Sequence, residues 1–142
     1  MDKPVKLILL FAILTLPIAS YSETLTPEEV VSNVIVNFLK KDFSNILNYT
    51  ELNEKKRVEM MISDYLSGSK SIIDSEISNL KEYKTIETYY ENDFAVVRVE
   101  WKLRGKAQDI KNIKEYETKR YIMYLLKKFD NQWKVISKKV EI

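Results

Sequence analysis

The sequence predicts an α+β domain in which N-terminal helices are followed by an antiparallel sheet, with a signal peptide in front. Apolar residues recur with a helical period over the first half of the chain after the leader, and with a period of two from about Glu82 onward. The two periods are segregated along the chain, which favours α+β over repeated βαβ units. A chain of 142 residues is long enough for one domain with a core.

The N-terminal segment, residues 1–22, has the three parts of a secretory signal peptide. Lys3 and Lys6 give it a basic start, an apolar run follows, and small residues lie near Ser22. The apolar run of about 13 residues is short for a membrane span, which needs about 20. We therefore expect cleavage near Ser22, a single domain over residues 23–142, and no integral membrane span after cleavage. An uncleaved anchor is the alternative.

The residue types that are missing limit the chemistry. The chain has no cysteine and no histidine, which excludes disulfides, thiol catalysis and every site built on histidine, and we expect no metal and no cofactor. The 23 basic and 21 acidic residues give a net charge of only +2, which argues against a nucleic-acid partner. Export without disulfides favours a periplasmic or secreted bacterial protein.

The strongest helix signal lies in "LTPEEVVSNVIVNFLKKD". Thr26 is expected to be the N-cap and Pro27 the first helical residue, and Glu29 completes a capping box with Thr26. Two adjacent rows of apolar residues predict one broad buried face over about residues 27–41. These rows are Val30, Val34 and Phe38, and Val31, Ile35 and Leu39.

Two further helices are predicted before the strands. A short one follows Asp42, which we expect to cap it, and the next lies in "ELNEKKRVEMMISDYLSGS" and ends at Gly68. The stretch "KSIIDSEISNL" fits either a short helical turn or the start of a strand. The apolar face of the longer helix comprises Leu52, Val58, Met61, Ile62, Tyr65 and Leu66.

The C-terminal half predicts four strands, beginning with "YKTIETYY". In "FAVVRVEWKLRG" polar and apolar residues alternate, which places Trp101 on one face and Glu100 on the other. Gly105 begins a polar connection to "YETKRYIMYLLKKF", a strand with Tyr121 on one face and Tyr124 on the other. "DNQ" then turns the chain into the last strand, "WKVISKKVEI".

The order of these elements resembles that of the nuclear-transport-factor-2-like superfamily, whose fold is a cystatin-like cone. Exported members have a first helix like "VVSNVIVNFLKKDF", short helices like "NILNY" and a final hairpin like "DNQWKVIS", so the likeness covers about residues 26–142. The resemblance implies N-terminal helices packed on a curved antiparallel sheet, with a pocket at the open end. It also implies that Trp133 is buried beneath the long helix, near Val34 or Phe38.

The superfamily includes isomerases, dehydratases, transport domains and scaffold domains, so the resemblance leaves the function open. We expect an exported, non-catalytic module that binds a protein partner or a small apolar ligand through the sheet face or the cone mouth. The absence of histidine favours this module over a small isomerase or hydro-lyase of the same fold. A periplasmic lipid carrier is another alternative function. As a partner, we also consider a second copy of the chain, in a homodimer formed through the sheet.

Three aromatic residues, Trp101, Tyr121 and Tyr65, are the candidate ligand-binding residues. Trp101 and Tyr121 are candidates for a shared pocket floor, although packing between the sheet and the helices accounts for them more readily. Glu100 is the candidate base of an isomerase site, which would need a carboxylate beside a tyrosine. Its position opposite the Trp101 face instead favours a solvated ion pair, so no catalytic residue and no metal ligand is assigned.

Overall fold

The computed structural model describes residues 24–68, 70–108 and 113–141. The expected signal peptide, residues 1–22, lies outside these ranges. Within them, four α-helices and one 3-10 turn precede a four-stranded antiparallel sheet, which confirms the α+β class. None of the helices in the described ranges combines the length and the apolar character that a membrane span requires.

The helices form a layer on one side of the sheet. Helix α1 spans Pro27–Leu39, and α2, Phe43–Ile46, continues directly into a 3-10 turn over Leu47–Tyr49. Helix α3 spans Asn53–Ser67 and α4 spans Lys70–Asn79, so the ambiguous isoleucine stretch before the sheet is helical.

The sheet is an antiparallel meander in which neighbours in sequence are neighbours in space, in the order β1-β2-β3-β4. Strand β1 spans Leu80–Glu91, β2 spans Phe94–Gln108, β3 spans Ile113–Phe129 and β4 spans Gln132–Val140. The two central strands are long, with 15 residues in β2 and 17 in β3. They therefore extend well past the short edge strand β4.

The prediction that a polar connection begins at Gly105 is wrong. Strand β2 continues through Gly105 and pairs with β3 as far as Gln108, which lies opposite Ile113. Gly105 lies directly opposite Tyr116, and the Tyr116 ring occupies the space that a side chain at Gly105 would need. A glycine inside a strand lowers the stability of that strand, because it has no side chain to pack. At position 105 the missing side chain makes room for the Tyr116 ring, which covers the backbone.

The helices pack on one face of the sheet, which we call the inner face. The alternation predicted for β2 is confirmed, since its apolar residues turn inward and are buried against α1. On β3 the buried set is the one that contains Tyr124, not the one that contains Tyr121. The buried apolar residues of β2, β3 and β4 are Ala95, Val97, Val99, Trp101, Ile122, Tyr124, Leu126 and Val135.

A bulge in β4 changes which side chains face inward. Leu126 pairs with Val135, but Leu125 pairs with Ser137, so Ile136 is the extra residue on β4. An extra residue shifts the alternation of the rest of a strand by one position. Beyond the bulge, Lys138 lies opposite the inner residue Tyr124 and therefore turns toward the helices.

Trp133 lies on the inner side at the hairpin end of the sheet, where it is half-buried. Its ring makes an edge contact with Tyr90, with ring centroids 6.2 Å apart, and the Lys128 ammonium lies 5.1 Å from its centroid. Leu25 and Val30, at the start of α1, border the same surface depression.

The expected burial of Trp133 near Val34 or Phe38 is therefore wrong. The hairpin that carries Trp133 reaches the first turn of α1 rather than its middle, which leaves one side of the indole accessible. Trp101 packs against Phe38 instead, with ring centroids 6.4 Å apart, and is 8% exposed.

Three details of the helix predictions are also corrected. Asp42 makes no side-chain capping hydrogen bond to α2. Leu52 precedes α3 with a positive φ of 60°, off the periodic face, and is 56% exposed. Leu66, in the last turn of α3, lies beyond the core cluster and is also exposed, whereas Val58 is buried as expected. Gly68 follows the end of the helix as predicted.

The capping box that begins α1 is present as expected. The Glu29 backbone N–H donates to Thr26 Oγ1 at 3.2 Å, and the Thr26 backbone N–H donates to Glu29 Oε2 at 3.1 Å. The two residues thus satisfy two N–H groups that a helix start leaves without intrahelical partners.

Thr26→Ala should lower the free energy of unfolding by about 1 kcal/mol, because the helix start loses its side-chain acceptor. Urea unfolding followed by circular dichroism measures the change. Thr26→Ser is the matched control, since it keeps the hydroxyl acceptor and should stay close to the parent. Coincident midpoints for the alanine and serine variants would contradict a stabilising cap at Thr26.

Candidate functional site

A cavity of about 520 Å³ lies where the sheet extends beyond the helices. We call this cavity the mouth. Its walls come from α1, α3 and α4 on one side and from the inner faces of β2, β3 and β4 on the other. Phe38, Trp101, Leu103 and Ile122 supply an apolar wall. The volume falls within the range of about 300–1,000 Å³ that is typical of small-molecule sites.

Trp101 carries a buried donor at the wall of the mouth. Its side chain is 8% exposed, and its indole Nε1–H has no hydrogen-bond partner among the described residues. A buried polar group without a partner costs about 1–3 kcal/mol. A ligand oxygen that accepted from Nε1–H would remove this cost.

Among the described residues, the rim and inner wall of the mouth carry five charged side chains: Arg57, Glu76, Arg104, Arg120 and Lys138. Arg120 lies directly opposite Trp101 in the β2–β3 ladder, so the two side chains share the inner face. Within the described ranges, neither Arg120 nor Lys138 has a carboxylate within the 4.0 Å of an ion pair. Lys138 is partly buried, whereas Arg120 and Glu76 are exposed at the rim.

Arg57 is held in place by Glu54, which is 4% exposed. Arg57 Nε donates to Glu54 Oε2 at 2.9 Å, and Nη2 donates to Oε1 at 2.6 Å, which is a bidentate pair. The pair borders a smaller pocket of about 90 Å³ that adjoins the mouth and shares Trp101 and Lys138 with it. The described residues contain no group of three or more acidic side chains placed to hold a metal ion.

Sequence reasoning missed Glu54, because a glutamate in the first turn of a helix is typical of a solvated residue that faces the helix dipole. The signal that could have found it is the arginine three residues later, since residues at that spacing are neighbours on a helix.

The surroundings of Lys138 disfavour its charge. Burial is the main cause and the Arg57 guanidinium the second, and together they lower the pKa of Lys138 to about 8. The charge of Arg120 also lowers the pKa of Lys138, while the charges of Glu54 and Glu76 raise it. Tyr124, whose ring centroid lies 6.0 Å from the Lys138 ammonium, is itself buried, and burial raises the pKa of its phenol.

Several solved structures are similar to this chain, among them the following two. An NTF2-like protein of unknown function from Shewanella oneidensis MR-1 matches with 13% sequence identity and a TM-score of 0.50, over 81% of this chain and 98% of that one. A SEC-C motif containing protein from Rhodopseudomonas palustris matches with 12% identity and a TM-score of 0.50, over 80% and 77%. No protein-family model and no curated protein matches the chain.

The chain has the NTF2-like fold. The resemblance inferred from the order of helices and strands is thus confirmed at the level of the fold. At 13% identity the likeness extends to the fold alone, and one fold can host many functions. The function of this NTF2-like chain therefore has to be argued from the mouth.

The NTF2-like sheet separates two of the residues expected to share a pocket floor. Trp101 lines the mouth, but Tyr121 lies on the opposite, outer face, where the Arg98 guanidinium carbon is 4.6 Å from its ring centroid. The expected shared floor is wrong, because Tyr121 pairs with Glu100 in the ladder and so takes the Glu100 face.

The third expected residue, Tyr65, belongs to the helical layer of the NTF2-like fold. Its ring packs edge-on against Phe43, with centroids 4.9 Å apart, and its hydroxyl donates to Asp74 Oδ1 at 3.4 Å. It is not among the residues that line the mouth. These contacts give Tyr65 a packing role between α2, α3 and α4.

Glu100 lies on the outer face as predicted, but it is 6% exposed rather than solvated. The Lys84 and Lys119 ammonium groups lie 3.7 Å and 3.8 Å from its two carboxylate oxygens. Long side chains from both neighbouring strands thus cover the carboxylate, which is why a residue on the outer face is removed from water.

Lys138 should make the free energy of unfolding depend on pH. Because its pKa falls from an ordinary value of 10.5 to about 8 on folding, the unfolded chain binds more protons between those values, and stability rises with pH across that window. Part of Lys138 stays in contact with solvent, so we expect a gain on the order of 1–2 kcal/mol from about pH 8 to about pH 10.

Urea unfolding of the parent, Lys138→Met and Lys139→Met at a series of pH values isolates this gain. Lys138→Met should lack it, and Lys139→Met, which alters the neighbouring lysine opposite Met123 on the outer face, should keep it. Parallel pH profiles for the parent and both variants would show that Lys138 titrates normally in the fold.

Proposed function

We propose that this chain is a non-catalytic binding module that takes a small ligand with an apolar body in the mouth. The observation that supports this function is a cavity of about 520 Å³ with Trp101 at its wall, whose buried indole N–H has no partner among the described residues. Small-molecule sites combine apolar surface with polar groups that fix the orientation of the ligand. The mouth offers an apolar wall of Phe38, Trp101, Leu103 and Ile122 within a lining that is otherwise largely polar.

The outer face of the sheet is a weaker candidate for a partner surface or a homodimer. Its charged side chains already pair with one another, as in the Arg98–Glu141 pair, where Arg98 Nη2 and Glu141 Oε2 are 2.8 Å apart. Lys102 and Glu82 form another pair at 2.6 Å. A partner docking there would have to desolvate or break these pairs, which opposes association.

An isomerase or hydro-lyase would need a carboxylate free to take a proton beside a tyrosine. Glu54 and Tyr124 are both buried and line the same small pocket, which is one approach to that arrangement. Both Glu54 oxygens, however, accept hydrogen bonds from Arg57, and the pocket of about 90 Å³ is too small for a substrate of that class. The geometry therefore favours binding over catalysis.

A lipid carrier would need a continuous apolar cavity. The mouth instead carries Arg57, Glu76, Arg120 and Lys138 among its lining residues, so a long acyl chain could not be enclosed in an apolar environment. A short apolar body with a polar end fits this lining better than a whole lipid does.

A neutral fluorescent probe, N-phenyl-1-naphthylamine, tests the proposed function, since its emission rises in an apolar site. Thr118 is exposed at the rim of the mouth, so Thr118→Trp should obstruct the entrance and weaken probe binding about tenfold or more. Ser137→Trp is the matched control, because it adds the same indole to the outer face, opposite Leu125.

Equal probe affinity for the parent and Thr118→Trp would place the probe outside the mouth. If N-phenyl-1-naphthylamine shows no saturable binding to the parent, and decanol does not alter Trp101 fluorescence in a Trp133→Phe background, the mouth does not bind apolar ligands.

We also propose that the chain is exported and that residues 1–22 are removed. The support is the basic start, the short apolar run and the small residues near Ser22. Mass spectrometry of the protein made in its native host should find a mature N-terminus between Ser20 and Glu23. A membrane-bound product that starts at Met1 would rule the proposal out.

A further inference from the structure

We propose that the mouth recognises an anionic end group, a carboxylate or a phosphate monoester, on the apolar ligand. Lys138 and Arg120 bind the anion, and Trp101 Nε1–H donates a hydrogen bond to one of its oxygens. This inference rests on the proposed ligand-binding function and names the class of ligand that the mouth takes.

The first support is the balance of charge at the mouth. Among the described residues, Lys138, Arg120 and Arg104 of the mouth have no carboxylate within ion-pairing distance, while Arg57 is already paired with Glu54. A cationic group that is removed from water and unpaired is costly, and an anion bound beside it relieves that cost. The mouth therefore offers three cations that an anionic ligand could pair with, and Lys138 is the least exposed of them.

The second support is independent of charge. The indole of Trp101 can donate a hydrogen bond but cannot accept one, and its buried Nε1–H lacks a partner among the described residues. Because Arg120 is its direct cross-strand neighbour on the inner face, an oxygen that accepts from the indole also lies near a guanidinium. An oxyanion satisfies both groups at once, whereas an ammonium would satisfy neither.

Glu76, the one acidic side chain lining the mouth in the part of the chain that the structure describes, does not cancel this preference. It is exposed at the rim, on α4, where water screens its charge, whereas Lys138 lies deeper on β4. The remaining charged and titratable groups that face Lys138 are Glu54 and Arg57 on α3, and Arg120 and Tyr124 on β3. Both carboxylate oxygens of Glu54 accept hydrogen bonds from Arg57. Lys138 can therefore pair with an anionic ligand instead.

Competition against bound N-phenyl-1-naphthylamine tests the inference with three probes that share one chain length: decanol, decanoate and decyl phosphate. At about pH 7 we expect one or both anions to displace the dye about tenfold better than decanol. A preference for decyl phosphate over decanoate would assign the site to a phosphate monoester, and the reverse order would assign it to a carboxylate.

Two variants locate the anion within the mouth. Lys138→Met and Arg120→Gln should each reduce the advantage of the anions over decanol about tenfold, measured as the ratio of the two affinities within each variant. Lys139→Met is the matched control, because it removes one positive charge from the outer face of the same strand. Unfolding midpoints of the three variants identify any loss that comes from misfolding, and decanol binding provides a second check.

The pH dependence gives a further readout. Lys138 has a pKa of about 8, so the advantage of decanoate over decanol should shrink as pH rises through and above that value, and it should not shrink in Lys138→Met. Decanol binding should stay level over the same range, because it involves no ion pair.

The outcomes separate this inference from the proposed function. If decanol displaces the dye and neither anion does better, the anion inference is wrong while the binding module stands. An anion advantage that survives both Lys138→Met and Arg120→Gln would also overturn it, because the anion would then bind elsewhere. If none of the probes binds, the proposed function fails as well.

Discussion

The mismatch in length between the helical layer and the central strands determines the shape of the molecule. Helix α1 has 13 residues and is about 20 Å long, whereas β2 has 15 residues and is about 50 Å long. One helix of this length cannot cover the inner face of β2 from end to end. Near the hairpin turns, α1 buries Val97 and Val99 in a continuous core. Beyond the helices the inner face continues without an equivalent cover, and the mouth is the space that results.

The side chains at the mouth depend on where the alternation of each strand is interrupted. Without the bulge at Ile136, the alternation that turns Val135 inward would also turn Ser137 and Lys139 inward. With it, Lys138 faces the helices and Lys139 faces outward, opposite Met123. A single extra residue therefore places Lys138 rather than Ser137 opposite Tyr124, and Val140 rather than Lys139 opposite Ile122, which sets where the ammonium group lies in the mouth.

The same bulge shows where sequence reasoning reaches its limit. Alternation in β2 placed Trp101 on the buried face, because one face of that strand is clearly more apolar than the other. In β3 both faces carry large apolar residues, so only pairing with β2 decides that Tyr124 is buried and Tyr121 is not. The capping signals of Thr26 are local and were predicted in full. Lys138 was not predicted, since a bulge depends on strand pairing and leaves no mark in the order of residue types.

The mouth keeps features that a structure optimised for stability alone would lose. A methionine in place of Lys138 would remove a partly buried charge without an ion pair, and a phenylalanine in place of Trp101 would remove a buried donor without an acceptor. Both costs fall on neighbouring surfaces of one cavity. On the outer face Arg98 pairs with Glu141, although Glu100 Oε1, buried on that face, also lacks a hydrogen-bond partner among the described residues. Local rules of folding are most often broken where a site has to remain free for something else to bind. A ligand that brings an oxyanion and an apolar body supplies both missing partners, so the same arrangement that weakens the free protein strengthens the complex.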